Sequence, residues 1–243
     1  MGRVRFHGLD TIRGITLVSM IAYHACWDLV WIFGADWPWY RSDGAYLWLQ
    51  SICWTFILLS GYCWSLGRHR LRRGLMAFGG GALVSAVTLL AMPEDRVLFG
   101  VLTLLGTSAL LLIPLERPLR RLPARAGLAG SFLLFLLTRE VNSGYLGFEG
   151  VRLLALPQSW YRNHLTALLG FPQPTFYSTD YFSLLPWVFL FWTGYYLYRL
   201  RRQEPPRLSL PVVTALGRHS LLVYLLHQPV VYGVLWAVCT LLG

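Results

Sequence analysis

The sequence predicts an all-α fold: a polytopic transmembrane helix bundle of about seven spans, N-terminus cytoplasmic and C-terminus outside. Three observations carry this expectation. Of 243 residues, 56% are hydrophobic and 13% charged, whereas a soluble domain carries roughly 25% charged residues. The apolar residues gather into seven runs, at about 12–33, 45–67, 74–92, 97–115, 126–138, 182–198 and 219–241, and most approach the ~20 residues that cross a hydrocarbon core. The 21 basic residues, every one an arginine, crowd the loops on one side of those runs.

The first run has Arg3, Arg5 and Arg13 at or before its start. It is too long for the apolar region of a signal peptide and is interrupted by His24, Cys26 and Asp28, so a retained first span is expected. The loop after the second run holds Arg68, Arg70, Arg72 and Arg73; that after the fourth holds Arg117, Arg120, Arg121 and Arg125; that after the sixth holds Arg199, Arg201, Arg202, Arg207 and Arg218. Seven spans put all of these on the N-terminal side, against Arg41, Arg96, Arg139, Arg152 and Arg162 on the other. The positive-inside bias makes the heavy side cytoplasmic, and the unbroken alternation supports even the short fifth span. The long outer loop, 139–181, is expected to carry one or two short interfacial helices within 150–170. Its rings, among them Tyr145, Trp160, Phe176 and Tyr181, suit an aromatic belt or a platform for a sugar-like acceptor. No repeat is evident, and residues 1–243 read as a single domain in the cell membrane.

The net charge of +10 does not point to nucleic acid, which needs a soluble basic face. Arginines between apolar runs serve orientation first, and an anionic ligand can share them. Without lysine there is no Schiff-base chemistry. Cys26, Cys53, Cys63 and Cys239 lie inside apolar runs without metal-type spacing; they read as small buried hydrophobes, and no metal is expected.

Ionisable residues inside a span are costly and mark function by default. Arg13 and His24 are three turns plus about 20° apart, on one helix face and about 16 Å apart along the axis. Asp28, one turn past His24, comes within hydrogen-bonding reach of it. A carboxylate on one ring nitrogen would orient the imidazole and leave the other nitrogen for a substrate proton. A histidine that merely bridges helices is the plainer alternative. The last run opens with Arg218, His219 and Ser220 and continues to His227, Gln228 and Pro229. Pro229 brings no N–H to the Leu225 carbonyl, so a kink and a free acceptor are expected there, at mid-membrane. Helix-to-helix hydrogen bonding and a site role both fit His227 and Gln228. The second run ends Leu59-Ser60-Gly61-Tyr62, small enough at its centre for close helix approach. It leads into Arg68-His69-Arg70-Leu71-Arg72-Arg73, a cluster that sets topology or clasps a phosphate.

These stretches resemble a known family. An arginine and a histidine separated by ten residues in the first span are a hallmark of membrane acyltransferases, as is a Leu-Ser-Gly-aromatic run ending the second span before an arginine. Leu9-Asp10-Thr11-Ile12-Arg13-Gly14, Asp180-Tyr181-Phe182-Ser183-Leu184-Leu185-Pro186-Trp187 and Leu216-Gly217-Arg218-His219-Ser220-Leu221-Leu222-Val223-Tyr224-Leu225-Leu226-His227-Gln228-Pro229 look like the DUF1624 branch, related to heparan-alpha-glucosaminide N-acetyltransferase. The last stretch is the most specific, and the resemblance runs from Leu9 to Pro229. It implies transfer of an acetyl group from cytoplasmic acetyl-CoA to an acceptor across the membrane. By position, His24 would be the general base, with Arg13 and Arg68 near the cofactor. The chain is shorter than the animal enzyme and has fewer spans, so the acceptor does not carry over. Thr103 stands where related bacterial sequences have a histidine, which removes any second-histidine role in the fourth span.

The first functional expectation is therefore an acyl-CoA-dependent membrane acyltransferase. CoA phosphates would rest against Arg68, Arg70, Arg72 or Arg73, with Ser60 beside the cofactor and the pantetheine arm running past Arg13. His24, held by Asp28, would take the proton of a hydroxyl or amine acceptor, a carbohydrate in the simplest case, near Asp180, Tyr181, His227 and Gln228. Direct transfer and an acyl-histidine intermediate both fit. Acyl-CoA, the acceptor and the bilayer are the expected partners, with a homo-oligomer left open. Two other classes compete: a transporter or flippase using His24 and Asp28 as a proton relay, against which the lack of repeats counts, and a haem protein ligated by His24 and His227.

Overall fold

The computed structural model describes residues 6–201 and 210–242. Arg3, Arg5, Arg202 and Arg207, which enter the charge asymmetry, lie outside the described residues. The helices are α1 (His7–Trp31), α2 (Asp43–Trp64), α3 (Arg70–Ala91), α4 (Val101–Arg121), α5 (Ala124–Leu137), α6 (His164–Leu169), α7 (Leu184–Leu200), α8 (Pro211–Arg218) and α9 (Ser220–Leu242). Each apolar run forms one of them; α6 and α8 are short additions. Four helices, α2, α3, α4 and α9, are long and apolar enough to cross a membrane. The first, α1, has 25 residues but carries Asp10, Arg13, His24 and Asp28. Helices α5 and α7, with 14 and 17 residues, extend about 21 and 25 Å, less than the ~30 Å hydrocarbon thickness.

The chain divides into two compact units, Met1–Phe56 with Gln203–Gly243, and Ile57–Arg202. In the first, α1 is the central strut. Helix α8 packs antiparallel against its start, backbone on backbone: a Cβ on Gly217 would strike the Asp10 carbonyl, and one on Gly14 the Val213 carbonyl. The Thr11 and Thr214 hydroxyls meet at 2.7 Å in the same seam. Asp10 draws in Arg13 at 3.2 Å and Arg218 at 4.0 Å. The chain turns at His219, and α9 runs back parallel to α1, as the successive pairs His24–His227, Asp28–Gln228 and Phe33–Tyr232 require. It continues as one helix through Pro229. The first part of α2 lies antiparallel on α1. Leu17, Met20 and Ile52 form the buried contact, and Trp48 Nε1 donates to Ser19 Oγ at 2.8 Å.

In the second unit, α3 and α4 form an antiparallel hairpin through glycines: Gly81 abuts Thr103, Gly106 abuts Phe78 and Gly74 abuts Leu110. Thr103 thus serves packing. Helices α5 and α7 pair through a Ser131–Thr193 hydrogen bond of 3.0 Å and the Phe135–Trp187 ring contact. Arg199 donates to the carbonyls of Leu119, Arg120 and Leu122 at 3.2–3.3 Å, satisfying the orphan C-terminal acceptors of α4. Beyond α5, the short helices expected within 150–170 are present as Gln158–Trp160 and α6, but a hairpin that was not expected precedes them. An antiparallel hairpin of β1 (Tyr145–Phe148) and β2 (Val151–Ala155) occupies the start of that stretch, because Gly144, Gly147 and Gly150 adopt positive φ and break any helix. Helical geometry returns only at Gln158–Trp160 and in α6.

The α1–α8 seam yields a test. Replacing Gly217 by alanine should destabilise the protein by about 1–3 kcal/mol, since the new methyl meets rigid backbone. Gly79→Ala, where a Cβ meets nothing within 4 Å, should leave the melting temperature unchanged or higher in detergent. Equal melting of the two variants would contradict the seam.

Candidate functional site

The ionisable residues of α1 and α9 converge within the first unit. Asp28 is fully buried, at 0% exposure. The expected hydrogen bond to His24 does not form: Asp28 Oδ1 accepts instead from Gln228 Nε2 at 2.6 Å. One turn of spacing puts both side chains on one face, but an amide donor on the neighbouring helix captures the carboxylate. The other oxygen, Asp28 Oδ2, is buried without a partner, as are Gln228 Oε1 and His227 Nε2. His227 points Nδ1 at the Tyr224 carbonyl, 2.5 Å away. Its ring meets that of His24 edge to face, with centroids 4.9 Å apart and planes at 60°. The rings touch, so no macrocycle fits between them, which removes haem ligation by this pair. Tyr23, next to His24, wedges against Trp48 and Tyr40 at 5.1 and 5.2 Å and fixes the face that α1 turns toward α2. Arg13 is held about three turns back from His24, donating to Asp10 at 3.2 Å and to the Gly217 carbonyl at 3.5 Å.

The second unit holds the arginine cluster. Arg70 is occupied: it pairs with Glu116 at 2.6 Å and stacks on Trp64 at 4.0 Å, partners that the sequence reading did not anticipate. Arg68, Arg72 and Arg73 are exposed at the start of α3. Ser60 is half-buried in α2.

Asp180 and Tyr181 also belong to this unit, whereas His227 and Gln228 belong to the first. Asp180 Oδ2 accepts from the Val101 N–H at 3.3 Å, so its carboxylate sits on the N-terminus of α4, where the helix dipole favours it. The flanking backbone is stitched to the α3–α4 loop by Ser178, whose Oγ accepts from Leu98 N at 2.9 Å, and by Phe182 N donating to Phe99 O at 2.9 Å. Tyr181 donates to the Ala167 carbonyl, and burial holds its phenol well above the usual range, so it stays neutral. Asn142 organises this corner, donating to Ser183 Oγ at 2.9 Å and the Gly170 carbonyl at 3.0 Å. A single asparagine in a loop carries no periodic signal, and nothing in the sequence singles it out. Among the described residues, no group of three or more histidine, cysteine, aspartate or glutamate side chains could hold a metal ion.

A family model described as heparan-alpha-glucosaminide N-acetyltransferase, catalytic, matches residues 5–229. No curated protein and no solved structure matches the chain. The match runs through both units, covering α1 with His24 and ending at Pro229, one residue past Gln228. On that extent, the chain belongs to the heparan-alpha-glucosaminide N-acetyltransferase catalytic family, a family of membrane acetyltransferases.

Proposed function

We propose that this protein transfers an acetyl group from acetyl-CoA on the cytoplasmic side to an amine or hydroxyl of an acceptor, a sugar in the first instance, at the outer side of the cell membrane. The observation that carries the reading is His24: a histidine inside a family-matched helix, against a second histidine and beside a buried carboxylate, with no hydrogen bond to its ring nitrogens among the described residues. His24 takes the proton of the acceptor as its oxygen or nitrogen attacks the thioester carbonyl. The carbon–sulfur bond breaks, and the CoA thiolate receives that proton from the imidazolium. Asp28 acts through Gln228, holding α9 in register. Phosphate recognition falls to the cluster of Arg68, Arg70, Arg72 and Arg73, of which Arg70 also pairs with Glu116. Arg13 stands on the cytoplasmic end of α1, and the acceptor is taken on the opposite side, beside His24.

Seven spans with a cytoplasmic N-terminus complete the proposal. The parallel run of α1 and α9 supports it, because two parallel spans need an odd number of crossings between them, and α2, α3, α4, α5 and α7 supply five. The arginine asymmetry supports the orientation, and the family match through both units supports a single catalytic domain.

Three results follow. His24→Ala should lower acetyl transfer at least 100-fold, within the range for loss of a general base, with melting temperature retained; normal turnover would remove His24 from the chemistry. Acetyl-CoA at a hundred times its Kd should stabilise the detergent-purified protein by roughly 2.7 kcal/mol, and Arg68→Ala should abolish that shift; an undiminished shift would move the phosphate site elsewhere. An epitope inserted at Gly150 should be stained on intact cells, and one between 203 and 209 only after permeabilisation; the reverse pattern would invert the topology.

A further inference from the structure

His227 has a fixed tautomer. Its Nδ1 lies 2.5 Å from the Tyr224 carbonyl oxygen, and a carbonyl only accepts, so Nδ1 carries the proton and Nε2 a lone pair. That Nε2 is buried and has no donor. The neighbouring ring that can supply one is His24, whose own nitrogens have no hydrogen-bond partner among the described residues, so that no such bond sets its tautomer. The helices that carry the two rings are latched one residue further on α9 and one turn further on α1, by Gln228 and Asp28. The latch turns Asp28 Oδ1 away to the amide.

From this geometry we propose that His227 is the positioning residue of the base: His227 Nε2 accepts a hydrogen bond from one ring N–H of His24 and so leaves the other His24 nitrogen as the lone pair facing the acceptor. The role deepens the acetyltransferase reading and rests on it. It is the part that a carboxylate plays behind many catalytic histidines, here filled by a neutral imidazole whose polarity is set by a backbone carbonyl. As the acceptor's oxygen or nitrogen bonds to the acetyl carbon, its proton moves to the free His24 nitrogen. The resulting imidazolium keeps its other N–H on His227 Nε2, and the departing CoA sulfur takes the transferred proton back. No charge is left on His227, and no further reactant is needed. A 4.9 Å ring separation without a formed bond accords with contacts that tighten only when substrate is bound.

The test begins with ¹⁵N-histidine NMR of the detergent-purified full chain with acetyl-CoA, using His24→Ala and His227→Ala for assignment. His227 should report a protonated Nδ1, and a His24 N–H should show scalar coupling to His227 Nε2. A His227 protonated at Nε2, or no coupling between the rings, overturns the proposal. Kinetics with acetyl-CoA and glucosamine supply the second readout. His227→Ala should lower kcat about 100-fold with KM for acetyl-CoA unchanged, and His227→Gln, whose side-chain oxygen can reach the Nε2 position, should recover at least tenfold of that loss. A merely structural histidine would show no recovery with glutamine. A larger loss in Asp28→Asn than in His227→Ala would hand the orienting role to Asp28. Retained turnover in His24→Ala sinks the acetyltransferase assignment of the site itself, whereas full turnover in His227→Ala beside a dead His24→Ala sinks only this pairing.

Discussion

A carboxylate with no exposed surface has to be answered by a donor, and Asp28 is answered by the amide of Gln228. Where burial excludes water, an unpaired acidic group costs several kcal/mol. The pairing is possible only if α9 lies beside α1 at one register. That register in turn needs α8 to fold back along the start of α1, which the touching backbones at Gly14 and Gly217 allow. Once Gln228 meets Asp28, the preceding residue on α9 and the residue one turn earlier on α1 are His227 and His24, and their rings meet. The histidine pair is thus a consequence of the latch rather than an independent contact.

Much of this was legible before any coordinates. The seven apolar runs became seven helices, and the polar residues flagged on the first and last of them are those that converge. Spacing along one helix was a poorer guide. It placed Asp28 on the face of His24 correctly but could not say which neighbour would capture the carboxylate, because the competing donor sits 200 residues away in sequence on α9. The tautomer of His227, by contrast, depends on a carbonyl three residues back, a local relation that helical geometry makes available. Beyond α5, the short helices expected within 150–170 form at Gln158–Trp160 and in α6, whereas the hairpin before them, shaped by the positive φ of Gly144, Gly147 and Gly150, left no periodic signal. Glu116 and Asn142 lay outside any periodic pattern, and their partners emerge only from tertiary packing.

The arginines, uniform in type, do three different things. Arg199 caps the last carbonyls of α4. Arg70 pairs with Glu116 over the face of Trp64. Arg68, Arg72 and Arg73 stand exposed within a few residues of it. The sequence reads these arginines as topological charge, with a phosphate clasp as a second role for the cluster after α2, and in neither reading are their partners visible. Guanidinium suits each role better than ammonium would, since capping several carbonyls and stacking on indole both use a planar fork with several donors. A chain without lysine forgoes nothing here that arginine cannot supply.

The polarity of α1 is the remaining argument for function. Asp10, Arg13, His24 and Asp28 all sit on one helix of 25 residues, which is not among the helices long and apolar enough to cross a membrane. Three of these residues have matched partners within the same unit: Asp10 with Arg13 and Arg218, Asp28 with Gln228. They hold α8 and α9 in place and thereby offset part of their own desolvation. Among the described residues His24 alone of the four makes no hydrogen bond, and a leucine or methionine there would fill the same space beside Tyr23 without that penalty. A polar group that adds nothing to the latch it sits within, and that lies against a second imidazole, is what the proposed proton transfer needs and what the packing of the fold does not.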